Sequence, residues 1–212
     1  YTSQYTLSLH DALPISQFYH KQRLTPMAER LPYAEFFYFA KSWFEWGVGI
    51  SGWQKGREQH NLMMMKDSIS AKVGTIICIE SIYPDFCRKF TAKGANMLTV
   101  ITNDGWYDHT PGPEQHYLIA AMRAIENRRY LARCANTGVS GIINPLGNST
   151  LRAPEYKRVG IRGQVPLMNG ESFYVRTGDW LAMLSTLVSA LAIFYGFILK
   201  FTRNNNENFR KH

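Results

Sequence analysis

Cys78 is the residue in this chain best placed to do covalent chemistry. It ends the run Val73-Gly74-Thr75-Ile76-Ile77 and is followed by Ile79, Glu80, Ser81 and, a few residues on, Pro84 and Asp85. A β-branched apolar run leading into a polar stretch reads as a buried strand turning into a helix. A thiol on such a turn sits at the rim of a sheet. There, as thiolate, it can attack a carbonyl carbon while the next backbone N–H groups face the developing oxyanion. The bland alternative is a small core residue, since free cysteine is among the most buried types. Taken alone, the segment favours the core; the rest of the chain reverses that.

The elements that must position Cys78 follow from pattern. Residues 18–21 read as the end of a strand and 22–32 as a loop broken by Pro26 and Pro32. Residues 62–65 read as a short strand and 73–77 as a buried one. Residues 84–93 read as a helix, with Pro84 in its first turn and Gly94 at its stop. Residues 95–102 form a second buried strand, and 103–115 a loop carrying Asp104, Gly105 and Trp106. Residues 114–128 make a helix whose apolar face is Leu118, Ala121, Met122 and Ile125. Strands are expected at 130–135 and 139–143, a turn at 144–148, and strand-like pieces to about residue 175. This order points to a layered α/β domain.

The totals narrow the partners. The chain has 212 residues, enough for one sizeable core, with 45% hydrophobic and only 19% charged residues. Its net charge of +8 suits an anionic membrane or nucleic acid. There is no C-x-x-C, zinc-ligand spacing or glycine-rich phosphate loop, so nucleic acid, nucleotides and a metal are poorly supported. Three cysteines, Cys78, Cys87 and Cys134, close no disulfide framework.

Residues 180–199 carry no formal charge over the length that spans a bilayer core as a helix. Trp180 and Tyr195 suit the two interfaces. Lys200, Arg203, Arg210 and Lys211 form a basic flank that marks the cytoplasmic side, leaving the α/β domain outside. The alternative is a buried C-terminal helix. Residues 33–53 place aromatics all round, including consecutive Phe36, Phe37, Tyr38 and Phe39. That is the pattern of an arm dipping into a lipid interface rather than of a one-sided core helix.

In order along the chain stand Tyr19-x-Lys21, Glu29, Cys78-x-Glu80, Thr102-Asn103-Asp104-Gly105-Trp106, Met122-Arg123-Ala124-Ile125-Glu126-Asn127 and Ala135-Asn136-Thr137-Gly138. This set resembles the carbon–nitrogen hydrolase (nitrilase) superfamily. With the apolar C-terminal span it is similar to the apolipoprotein N-acyltransferase branch. The resemblance implies the C-terminal portion of an α-β-β-α sandwich followed by one transmembrane helix. It also implies a Glu–Lys–Cys triad, with Cys78 as nucleophile, Lys21 as the catalytic lysine and Glu29 as a supporting glutamate. Ile79 would supply a backbone N–H to the oxyanion, with Glu80 beside the nucleophile. The triad's general-base glutamate is expected upstream of Lys21, and Asp11 and its neighbours do not supply that motif. The expected division is 1–16 non-native, resembling adapter read-through, then 17–177 hydrolase-type domain, 178–200 span and 201–212 basic tail.

The reaction so implied moves an acyl chain from a phospholipid donor to Cys78 as a thioester. The acyl chain then passes to the N-terminal diacylglyceryl-cysteine amine of an apolipoprotein, at a bacterial inner membrane and with no cofactor. Two departures touch fine positioning: Pro26-Met27-Ala28-Glu29 where Pro-Phe-Gly-Glu is usual, and Ile79 where Tyr is frequent. The alternatives are an amidase in which water takes the acyl group, or an inactive membrane-anchored fragment. Trp106 reads as a wall of an acyl pocket or a core cap, and Glu80 as a site wall or a helix-initiating charge. His116 reads as a satisfied structural histidine, and Arg123 with Glu126 as an ion pair.

Overall fold

The computed structural model describes residues 17–26, 29, 55–66 and 69–209. The segments 1–16 and 33–53, read as non-native sequence and as an aromatic arm, lie outside the described residues.

Six strands form one mixed sheet in sequence order: β1 (Leu62–Lys66), β2 (Ile69–Ile77), β3 (Met97–Asn103), β4 (Leu131–Asn136), β5 (Ser140–Ile143) and β6 (Ser149–Ala153). The central pairs β2–β3 and β3–β4 are parallel, and the outer pairs are antiparallel. The continuous apolar runs become the parallel strands. The register sets Ile77 beside Ile101 and Asn103 beside Asn136. The residues that follow β2, β3 and β4 therefore emerge at one edge of the sheet.

Two helices cover one face. Helix α1 (Pro84–Ala92) starts on Pro84, which lacks the N–H that a first turn leaves unpaired. Asp85 in that turn pairs with Arg88 and Lys89. Helix α2 (Gly112–Asn127) ends on Arg128 in the left-handed conformation. Between the helices and the sheet lie Ile76, Phe86, Phe90, Leu98, Val100, Tyr117, Ala120, Ala124 and Leu131, all buried. Gly74 is required there: a Cβ would lie 2.7 Å from both Leu98 and Phe90. The opposite sheet face holds Ile101 and Cys134, both exposed. The described residues thus hold one helical and one sheet layer.

Several expectations are corrected. The expected apolar face of α2 is largely its outer one: Leu118, Met122 and Ile125 are about half-exposed. Its buried side carries Tyr117, Ala120, Ala121 and Ala124 with His116, Arg123 and Asn127. Small alanines let the helix approach the sheet closely, and the polar groups have partners, so side-chain size and pairing override simple hydropathy. Residues 18–21, read as a strand end, form coil. The strand-like pieces expected towards residue 175 give β6, then coil, then the short helix α3 (Phe173–Thr177), N-capped by the Ser172 hydroxyl.

Helix α4 (Trp180–Phe209) then continues through 201–209, part of the segment read as a tail. Its stretch Trp180–Lys200 has a mean hydropathy of 2.1 and is 0% buried in the protein, so it is not a core helix of the described residues. It is long and apolar enough to cross a membrane.

Candidate active site

Cys78 is the first residue after β2 and opens a 3-10 turn, Cys78–Ile82. Its φ of +53° lies in the left-handed region, which costs a non-glycine residue on the order of 1–2 kcal/mol. A strand that ends abruptly in such a turn presents the side chain at the sheet edge. The strain persists because neighbours hold the turn. The Cys78 carbonyl accepts from the Ser81 hydroxyl at 3.0 Å, and His116 Nε2 lies 3.3 Å from it. The Ile77 N–H donates to Glu80 at 2.8 Å. Ile79 is half-buried within the same turn.

Glu80 is fully buried and joins two parts of the chain far apart in sequence. Its Oε1 accepts from the backbone N–H groups of Gln22 (2.6 Å) and Arg23 (3.1 Å), and Tyr19 Oη donates to the same carboxylate at 3.3 Å. These bonds fix the residues on either side of Lys21 to the turn that carries Cys78. Burial pushes the Glu80 carboxyl above the usual range, although the N–H donors pull the other way. Burial, then the charge of Glu80, raises the Tyr19 phenol, which stays a donor. Glu80 sits in the first turn of the 3-10 segment, where it accepts from the Ile77 N–H that opens it, and the same carboxylate clamps that turn to the segment around Lys21.

Lys21 is bidentate on Glu29, with Nζ 2.7 Å from both oxygens. The Thr25 N–H also donates to Glu29 at 2.7 Å. Burial alone would raise the Glu29 carboxyl, but the bonds from Lys21 and Thr25 outweigh it and hold it below the usual range. The pair keeps some exposure, 13% for the Lys21 side chain and 24% for Glu29. A lysine held by two such bonds is fixed in one orientation.

Behind Cys78 a second cluster is closed to solvent. Asp104, the first residue after β3, has Oδ1 2.9 Å from His116 Nδ1, and Arg133 Nη2 donates to its Oδ2 at 2.6 Å. Thr102 Oγ1 adds a bond at 3.1 Å, and Arg133 Nε donates to the Val139 carbonyl. Burial works against the Asp104 charge, but His116 and Arg133 hold its carboxyl below the usual range. Gly138 has to be glycine: a Cβ there would lie 2.2 Å from Asp104 Oδ2. The Tyr107 phenol is raised, chiefly by burial.

The remaining residues separate from the site or frame it. Trp106 follows Asp104 on a 3-10 turn and is 67% exposed, so it does not cap the core. Cys87 is buried with its thiol on the Glu80 carbonyl at 3.3 Å, and burial raises its pKa strongly. Arg123 and Glu126 form the expected ion pair at 2.8 Å. Among the described residues no group of three or more His, Cys, Asp or Glu could hold a metal ion. Sequence reasoning assigned no role to Tyr19, Ser81, Asp104 or Arg133. The available signal was Arg133, which shares the inward face of β4 with Leu131 and Ala135.

Comparison with known proteins bears on this arrangement. Residues 1–167 match the model of the carbon–nitrogen hydrolase family. The chain is 40% identical over 175 residues to the apolipoprotein N-acyltransferase of Chlorobaculum tepidum, covering 82% of this chain and 33% of that protein. It is 32% identical over 176 residues to the enzyme of the same name from Thermotoga maritima, covering 83% and 34%. The chain thus spans about a third of the length of the curated relatives it matches. Among solved structures it is similar to Saccharomyces cerevisiae Nit3, a nitrilase-superfamily member. That match has 22% identity and a TM-score of 0.41, over 53% of this chain and 41% of the other.

Proposed function

The chain belongs to the carbon–nitrogen hydrolase family, and from that premise we propose that it is the acyl-accepting part of an apolipoprotein N-acyltransferase. The observation that carries this reading is the Glu80 clamp. It secures the segment bearing an anchored lysine to the strained turn bearing a cysteine. The named relatives and the exposed apolar helix α4 supply the substrate class.

In this reading the Cys78 thiol loses its proton to a carboxylate general base upstream of Lys21. The thiolate attacks the ester carbonyl of a phospholipid acyl chain. Negative charge collects on the carbonyl oxygen, where the Lys21 ammonium and the Ile79 N–H stabilise it. One such donor is typically worth about 3 kcal/mol. Collapse of the tetrahedral intermediate breaks the ester C–O bond, and the base returns its proton to the departing lysophospholipid oxygen. The acyl group remains on Sγ as a thioester. The N-terminal amine of a diacylglyceryl-cysteine then attacks the thioester carbon and loses a proton. An amide forms and the Cys78 thiol is regenerated.

Glu29 orients Lys21, and Trp106, exposed on its turn at the same sheet edge, lines the approach of the acyl chain. Helix α4 spans the membrane, with the basic residues beyond it on the cytoplasmic side, so the site faces outward at the inner membrane.

The test supplies the full-length protein in phospholipid micelles with a labelled acyl donor and a diacylated lipopeptide bearing a free N-terminal amine. Label appearing on the peptide amine supports acyl transfer. Label appearing only as free fatty acid, with the peptide unmodified, would replace this reading by hydrolysis.

A further inference from the structure

We propose that Ser81, His116 and Asp104 are positioning residues for the acylation of Cys78, a buried chain of hydrogen bonds that fixes the Cys78 carbonyl and so holds the left-handed turn presenting the thiol. The proposal rests on the reading of Cys78 as nucleophile.

The three side chains stand in the order of a hydrolytic triad. Asp104 Oδ1 is 2.9 Å from His116 Nδ1, and His116 Nε2 is 2.8 Å from Ser81 Oγ. Burial excludes a catalytic use: Asp104 and Ser81 are 0% exposed and His116 is 2%. No substrate carbonyl reaches Ser81. The chain ends instead on the backbone of the nucleophile, where Ser81 Oγ donates to the Cys78 carbonyl at 3.0 Å and His116 Nε2 stands 3.3 Å from the same oxygen.

The donor count is informative. The Asp104 carboxylate requires hydrogen on Nδ1. With hydrogen also on Nε2, the ring donates towards Ser81 and the Ser81 hydroxyl is free to donate to Cys78. Without it, Ser81 donates to the ring and the carbonyl loses the hydroxyl. The Cys78 carbonyl is bonded through Ser81 in the first arrangement, and that is the arrangement the proposal uses.

The anchor beyond the imidazole is rigid. Arg133 Nη2 holds the other Asp104 oxygen at 2.6 Å, and Gly138 packs too close to Asp104 to tolerate a Cβ. From another side Arg123 Nη1 donates to the Ser81 carbonyl at 3.3 Å. Elements from β3, β4 and α2 thus converge on one residue whose φ of +53° is unfavourable for any side chain but glycine. A backbone held against its own preference needs such over-determination. Relaxing it moves the thiol relative to Lys21, and a shift of about 1 Å in a reacting atom costs up to roughly 100-fold in rate.

The experiment measures single-turnover acylation of Cys78 in the full-length protein, from a phospholipid with a labelled acyl chain, across a range of phospholipid concentrations. The variants are Ser81→Ala and His116→Gln, with Cys78→Ala as the blank. Thermal midpoints are recorded in parallel. Ser81→Ala removes one oxygen and little volume, so it carries the test even where His116→Gln does not fold. The expected result is a maximal acylation rate lowered roughly 10- to 100-fold in folded Ser81→Ala, with half-saturation little changed. A wild-type rate in folded Ser81→Ala overturns the proposal. So does a loss residing wholly in half-saturation, or one matching the unfolded fraction. If the wild-type protein takes up no label above the Cys78→Ala blank, the nucleophile reading itself falls, and this proposal with it.

Discussion

Two charged clusters built on different plans are tied to the turn that carries Cys78. The Lys21–Glu29 pair is carried on coil, keeps some exposure and is joined to the nucleophile's turn through Glu80. The Asp104–His116–Arg133 cluster is carried on strand ends and a helix start and is closed to solvent. The difference separates two jobs. A charge that must act on a substrate has to remain reachable, whereas a charge that only shapes the backbone can be buried, provided that an opposite charge meets it, as Asp104 meets Arg133. Substitutions in the closed cluster should therefore register first as lost stability. Those in the open pair should register as lost rate.

The largest effect is expected from Asp104→Ala. It leaves Arg133 and His116 buried without their carboxylate, and breaking such a pair costs about 3–5 kcal/mol. Denaturant unfolding should show the midpoint fall accordingly. An unchanged midpoint would erase the contrast between the clusters. Acid should expose the same contact in the unsubstituted protein. The folded Asp104 pKa lies below its unfolded value, so its stabilisation is complete above the unfolded pKa. It is lost as pH falls through the folded value. The acid limb of a stability-against-pH curve should be shallower in Asp104→Asn than in the parent.

Next comes Lys21→Met. In the proposed mechanism this removes the cation that faces the oxyanion, so acylation should slow by roughly 10²–10³-fold, while the thermal midpoint moves little. A large loss of stability with the rate per folded molecule intact would place Lys21 in the structural class instead.

Glu80→Gln tests the joint between the two regions. Glutamine keeps the shape, but its amide nitrogen turns a donor towards N–H groups that need an acceptor. The expected cost is about 1–3 kcal/mol. Faster hydrogen exchange at the Gln22 and Arg23 amides should accompany it. Protection as in the parent would mean that the segment is held by other contacts. Cys87→Ala should be the mildest, about 1 kcal/mol or less with acylation retained, because it removes one small buried atom whose hydrogen bond is to the Glu80 carbonyl.

The parts legible in the sequence were those encoded locally. The apolar runs around Val73–Ile77 and Leu98–Val100 specify buried strands by composition. Pro84 marks its helix start by its missing N–H. Residues 180–199 declare an apolar helix by length. The contacts that organise the site are not local. Glu80 meets Gln22 across 58 positions, and Arg133 meets Asp104 across 29. No periodicity reports which backbone N–H a buried carboxylate will find. The outer placement of Leu118, Met122 and Ile125 was hidden for a related reason: small alanines and paired polar groups won the inner face of α2. His116 read as a satisfied histidine, and it is satisfied; what it satisfies depends on a turn that only the folded sheet creates.

The claim on which the rest depends is that Cys78 accepts the acyl chain. The full-length protein, incubated with a phospholipid of defined acyl chain and no amine acceptor, can be quenched in acid and digested, and its cysteine peptides weighed. The account predicts one acyl mass on the peptide containing Cys78, removable by neutral hydroxylamine as a thioester is, and none on the peptides of Cys87 or Cys134. An unmodified Cys78 peptide under conditions that support turnover, or the acyl mass on another residue, would contradict it.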